Sequence, residues 1–178
     1  MSFRWFVSGL VPGVNPRKQA VLGLTVLIVA GCGGGGGTSE RVVRGTVYHF
    51  SAPVGWSVSH SARGVQLTKG VAVLSVTRFP LLRAYRPALW EHVLPELDRA
   101  AAAIAAQQNG TVRDPRTVTI AGRRARRYDV AYERSGQRLV ERISFILLGK
   151  TEYLLLCRYL GGGDTEPCDR LLATFRLG

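Results

Sequence analysis

The sequence predicts an α+β domain over residues 41–178: a twisted antiparallel β-sheet flanked by one long, proline-interrupted helix and a short C-terminal helix. Three observations carry this prediction. Apolar and β-branched runs with period two recur on both sides of a single stretch with helical spacing. Glycine-containing pairs, Ala121-Gly122, Ser135-Gly136 and Gly149-Lys150, punctuate the later runs as turns. The window Pro87–Gln108 is the only long one in which apolar residues recur every three to four positions.

Taken in order, Val42–Phe50 reads as a first strand, with Tyr48 and Phe50 on one face, ended by Ser51–Gly55. Trp56-x-Val58 and Val65-x-Leu67 flank the polar turn Ser59–Gly64 as a hairpin, and Val71–Phe79 adds a third strand after Lys69-Gly70. The helix follows. Leu89, Val93, Leu97 and Ile104 form its apolar stripe, Ala100–Ala106 supplies the best helix former, and Asn109-Gly110 stops it. Pro95 removes a donor and clashes with the preceding turn, so a kink or two abutting helices is expected there.

Strands return at Arg116–Ile120, Arg124–Glu133, Arg138–Leu148 and Glu152–Leu160, with Tyr128, Val130 and Tyr132 sharing a face. Ile143, Phe145 and Leu147 are expected to form one core with Tyr153, Leu155 and Cys157, and the run Ile146-Leu147-Leu148 implies burial on both faces. A closing helix begins near Thr165-Glu166-Pro167, with Thr165 as cap and Leu171, Leu172 and Phe175 turned inward.

Upstream of the domain, Arg17 and Lys18 precede an apolar run, Ala20–Ala30, of 11 residues. That order fits a signal peptide, and the run falls well short of the roughly 20 residues a membrane-spanning helix needs. The following Val29-Ala30-Gly31-Cys32 resembles the lipobox of bacterial lipoproteins, although Val29 stands where leucine is commonest and Met1–Val14 makes the leader long. The resemblance implies a diacylglycerol thioether on Cys32 and cleavage before it. The alternative is an ordinary thiol at the end of an uncleaved apolar segment. Five glycines, Gly33–Gly37, come next and read as a flexible tether. The expected organisation is therefore a signal peptide over 1–31, a lipidated Cys32 with tether over 32–40, and one domain over 41–178.

Tyr48-x-Phe50-x-x-Pro53-x-Gly55-Trp56, the long helix, the segment Val118-x-Ile120-x-Gly122 and the terminal strands and helix together resemble the PsbP-like fold, including the LpqN-type lipoproteins of actinobacteria. Members of that fold are mostly accessory, docking or assembly proteins, so the resemblance implies a binding role rather than catalysis. Fold-level likeness names no ligand.

The chain carries a net charge of +12, and because Arg4, Arg17 and Lys18 precede Cys32, the part beyond it keeps 21 basic against 12 acidic residues. Such a surface favours anionic partners through screened, long-range attraction. The densest basic feature is Arg123, Arg124, Arg126 and Arg127. On a strand these side chains alternate, so the cluster reads either as solvated charge paired with Asp129, Glu133 or Glu141, or as an anion or partner patch. Nucleic acid is not expected as a partner, since export removes the protein from it and no aromatic residues alternate with the basic ones.

Cys157 and Cys168 are the other two thiols. In an oxidising compartment they read as a disulfide joining the last strand to the last helix, with two free buried thiols as the alternative. His49, His60 and His92 stand far apart without ligands at metal spacing, and no nucleophile elbow or phosphate loop is present, so neither metal nor cofactor is expected. His60 with Glu91 or Asp98 is a titratable combination that the fold could bring together. The reading is a membrane-anchored, extracytoplasmic, non-enzymatic lipoprotein that binds an envelope protein or lipidic ligand in a groove between sheet and long helix. The alternatives are a cell-envelope hydrolase and a ligand-free structural lipoprotein.

Overall fold

The computed structural model describes residues 39–178. The expected signal peptide, Cys32 and the glycine run lie outside them. Among the described residues, nine strands, β1 (Glu40–Arg44), β2 (Tyr48–Pro53), β3 (Ser57–Ser61), β4 (Gly64–Lys69), β5 (Ala72–Tyr85), β6 (Thr111–Ile120), β7 (Arg123–Arg134), β8 (Gln137–Leu160) and β9 (Arg176–Leu177), surround helices α1 (Trp90–Gln107) and α2 (Glu166–Thr174). The strands form a six-stranded sheet in the order β3-β4-β5-β8-β7-β6 and a three-stranded sheet in the order β1-β2-β9, antiparallel throughout. The α+β class with one long and one short helix is thus as the sequence predicts.

Several boundaries differ, each for a local reason. The run expected as one strand, Val42–Phe50, is a hairpin: the chain reverses at Gly45, whose amide donates to the Tyr48 carbonyl at 2.9 Å. A side chain at Gly45 would run into the Tyr48 ring, so only glycine fits where the β-branched residues gave no hint of a turn. The β6–β7 and β7–β8 connections are two-residue turns with Ala121 and Gly122, then Ser135 and Gly136, all at positive φ, which matches the twist of the flanking strands.

Gly149-Lys150 is not a turn. β8 runs through it for 24 residues and changes partner there: Gln137–Ile146 pairs with β7, and Gly149–Arg158 pairs with β5. Gly149 has φ of 54°, and across it the alternation of faces inverts. Before it, Leu139, Ile143, Phe145 and Leu147 pack with α1, whereas beyond it Tyr153, Leu155 and Cys157 pack on the α2 side. The single core expected from these two trios is therefore two cores on opposite faces. Burial on both faces at Ile146-Leu147-Leu148 holds, with Ile146 and Leu148 on one side and Leu147 on the other.

The α1-side core joins Trp90, Leu97, Ala101 and Ala105 of the helix to Tyr128, Val130 and Tyr132 of β7. Leu89, expected on the stripe, is 41% exposed in a single 3-10 turn, Pro87–Leu89, and Trp90 takes its place. Pro95 does not divide α1. It lies on the exposed side with Glu91, where water can take the carbonyl that a proline leaves without a partner. The α2-side core is aromatic: Tyr48, Phe50, Tyr153 and Phe175 meet at centroid separations between 5.7 and 6.4 Å. Such ring pairs contribute roughly 0.5–1.5 kcal/mol each beyond the area they bury.

Candidate functional site

Where α2 begins, the sequence stacks four local devices. The Asp164 carboxylate, one residue before the cap, accepts the Glu166 N–H at 2.8 Å. Thr165 stands at the cap position as expected, but its hydroxyl donates to Asp169 at 3.0 Å and accepts no helix amide. Pro167 sits in the first turn, where its missing donor is harmless. One residue later, Cys168 forms a disulfide with Cys157 of β8, with the two Cα atoms 5.5 Å apart and both residues buried. The expected crosslink between last strand and last helix is present.

This corner does not close over the sheet. A groove of about 370 Å³ remains between the start of α2, the end of β8, the β4–β5 turn and the β2–β3 connection. Trp56, Val71, Ala72, Leu160 and Pro167 supply its apolar wall, the disulfide lies at its floor, and Lys69, Arg158, Asp164 and Glu166 stand among its polar groups. All of these charges but Lys69 are already engaged. Glu166 pairs with Arg170, and Arg158 donates to the Val71 carbonyl at 3.0 Å while reaching Glu141 at 3.7 Å. What remains for a ligand is the apolar surface with Lys69 at its edge. Between sheet and α1, where a groove was expected, Trp90, Leu97, Ala101 and Ala105 are buried in the interface.

The four arginines do not share one face. Arg126 donates to Asp98 of α1 at 3.3 Å and lies 5.5 Å over the Tyr128 ring, while Arg127 reaches Asp114 of β6 at 3.9 Å; Arg123 and Arg124 are exposed. None takes the partners expected for it. Asp129 is held by Arg142 at 3.0 Å, and Glu141 accepts from Tyr132 at 2.8 Å. Burial, together with the neighbouring Asp98 carboxylate, pushes the Tyr128 hydroxyl far above the usual phenol range. It therefore stays a hydrogen-bond donor.

Of the titratable groups singled out in the sequence, His60 is on β3 at one edge of the sheet, whereas Asp98 engages β7 toward the other edge, so they do not meet. His49, His60 and His92 lie on three different elements, and among the described residues no three His, Cys, Asp or Glu side chains are placed to hold a metal. Sequence reasoning overlooked Glu152, which is 6% exposed on β8 and pushed by burial from the ordinary 4.5 to about 7. Its position in a period-two apolar run was the available signal.

No protein-family model matches the chain, and no curated protein sequence matches it. Among solved structures, a protein from Bacteroides thetaiotaomicron superimposes with a TM-score of 0.51 at 10% identity, over 78% of this chain and 48% of that one. This chain thus spans about half the length of that relative, and the likeness is one of fold. LpqN of Mycobacterium tuberculosis, described as involved in cell envelope biogenesis, aligns with a TM-score of 0.45 at 12% identity over 78% of this chain and 90% of its own. A Pseudomonas aeruginosa protein of unknown function aligns with a TM-score of 0.37 at 16% identity, over 69% and 84% of the two chains.

Proposed function

We propose that this chain is an extracytoplasmic lipoprotein, anchored to a membrane through Cys32, whose domain is a non-enzymatic binding module for an apolar, lipidic ligand. The groove beside the Cys157–Cys168 disulfide carries the reading. At about 370 Å³ it falls in the range of small-ligand sites, and its wall of Trp56, Val71, Ala72 and Leu160 suits an acyl segment better than a polar substrate. Its two carboxylates are occupied, Asp164 by a helix N–H and Glu166 by Arg170, which argues against the hydrolase alternative. The lipobox-like Val29–Cys32, the glycine run and a disulfide in the domain support export and anchoring from three separate directions. An envelope location and kinship with the LpqN-type lipoproteins belong to the same proposal.

Two measurements test it. Metabolic labelling with an alkyne fatty acid should mark the wild-type chain and leave Cys32→Ser unmarked. A fluorescent fatty-acyl probe should bind the full chain, and Leu160→Glu, which sets a charge at the groove's 42%-exposed rim, should weaken that binding about tenfold or more. Equal binding by both proteins would remove the groove from the account.

A further inference from the structure

A second hollow has the opposite chemistry. At the far end of β1, the β1–β2 turn lies against the closed end of the β3–β4 hairpin and leaves a small pocket of about 80 Å³. Arg44, Thr46, His60, Ser61 and Arg78 line it, and no carboxylate does. Among the described residues neither Arg44 nor Arg78 has an acidic partner. Arg78 is held by weak means: one Nη reaches the Thr46 hydroxyl at 3.5 Å, and its Nε is buried with no acceptor. A buried donor left without a partner is costly, and native structures rarely leave one so. Two guanidinium groups converging on one small space also repel unless something negative stands between them.

The backbone is shaped for this approach. Gly64 comes so close to β5 that a Cβ there would collide with the Val76 carbonyl, and Gly45 has the Tyr48 ring in the same position. These two glycines draw the turn and the hairpin together around Arg78. The space left would hold two or three waters, or one compact anion, at about 30 Å³ per water.

We propose that this pocket is a binding site for a single tetrahedral oxyanion of the phosphate type. Its oxygens would accept from the Arg78 Nε and Nη groups, from Arg44 and from the Thr46 hydroxyl, with the His60 ring as a further donor; the Ser61 hydroxyl is taken by the Gly64 carbonyl and shapes the wall. Charge-assisted, forked arginine contacts are what give such sites their strength. The site is independent of the groove, and its test leaves the acyl reading untouched.

The test uses the full chain bearing Cys32→Ser, so that no attached lipid masks the result. Inorganic phosphate is titrated calorimetrically at constant ionic strength. In parallel, sedimentation is compared for phosphatidylcholine vesicles with and without phosphatidylglycerol. Saturable phosphate binding is expected, weakened roughly ten- to hundredfold by Arg78→Gln and by the exposed Arg44→Gln, and unchanged by Arg99→Gln, which removes the same charge from α1. Binding only to phosphatidylglycerol vesicles, with the same dependence on Arg44 and Arg78, identifies the oxyanion as a headgroup phosphate. Absence of binding in both arms, or equal losses from all three substitutions, overturns the site and leaves only diffuse charge attraction. Thermal melting of each variant separates loss of the site from loss of the fold.

Discussion

The two faces of the main sheet are built by different means. On one, a single 18-residue helix covers β7 and the first half of β8, and its small residues Ala101 and Ala105 are buried against the sheet. On the other, a nine-residue helix and a three-stranded sheet share the covering of β4, β5 and the second half of β8. Neither cover is large enough alone, and where they stop the acyl-sized groove and the arginine pocket remain. The face held by a crosslink and an aromatic cluster is also the one with unfilled surface. The open hollows here follow incomplete coverage, and the added bonds stabilise what packing leaves unfinished.

Substitutions can break or sharpen this contrast. The largest effect is expected from Phe175→Ala, which empties the centre of the aromatic cluster at a fully buried position and should cost about 3–5 kcal/mol in denaturant titration. Leu97→Ala under α1 should cost nearly as much, about 2–5 kcal/mol; a much smaller loss there would mean that the helix covers its face only loosely. Next comes the paired change Cys157→Ser with Cys168→Ser, expected to lower stability by about 2–4 kcal/mol, with reductant giving the same loss to the wild-type protein and none to the variant.

Glu152 supplies a pH test. Its folded carboxyl keeps its proton up to about pH 7, while the unfolded chain releases it near 4.5, so between those values the folded state binds more protons. The stability associated with this group is therefore highest at acid pH, falls as pH rises through that window, and levels off above it. Glu152→Gln should flatten that slope and raise stability at pH 8 by roughly 2–3 kcal/mol. An unchanged slope would show that the carboxyl is solvated. The smallest effect is expected from Tyr132→Phe, which removes the 2.8 Å hydrogen bond to buried Glu141 and leaves that carboxylate to Arg158 alone, for a loss of about 1–2 kcal/mol.

Much of the fold was legible because local signals agreed. The β3–β4 hairpin, the Ala121-Gly122 and Ser135-Gly136 turns, the helix stop at Asn109-Gly110 and the disulfide all followed from residue type and spacing. Two of the misreadings concern glycine. A glycine that reverses the chain, Gly45, was hidden in an apolar run, and a glycine that only shifts its phase, Gly149, looked like a turn. Which of the two a glycine does depends on what lies across from it, and that is long-range information. The same holds for the sites. Arg44, His60 and Arg78 come together only through the registers of β1 to β5, and the groove exists only because α2 and the β2–β3 connection stop short of each other. The arginine cluster at 123–127 stands out in the sequence, but in space Arg126 goes to Asp98 and Arg127 to Asp114, with Arg123 and Arg124 left exposed.

The phase shift at Gly149 also makes the crosslink a witness. Were the strand threaded one position out beyond that point, every later side chain would trade inside for outside, and the sulfur at 157 would turn away from its mate on the last helix. An oxidised pair thus certifies that the longest strand was laid down in the right frame, and a free thiol in otherwise mature protein would single out the molecules that were not.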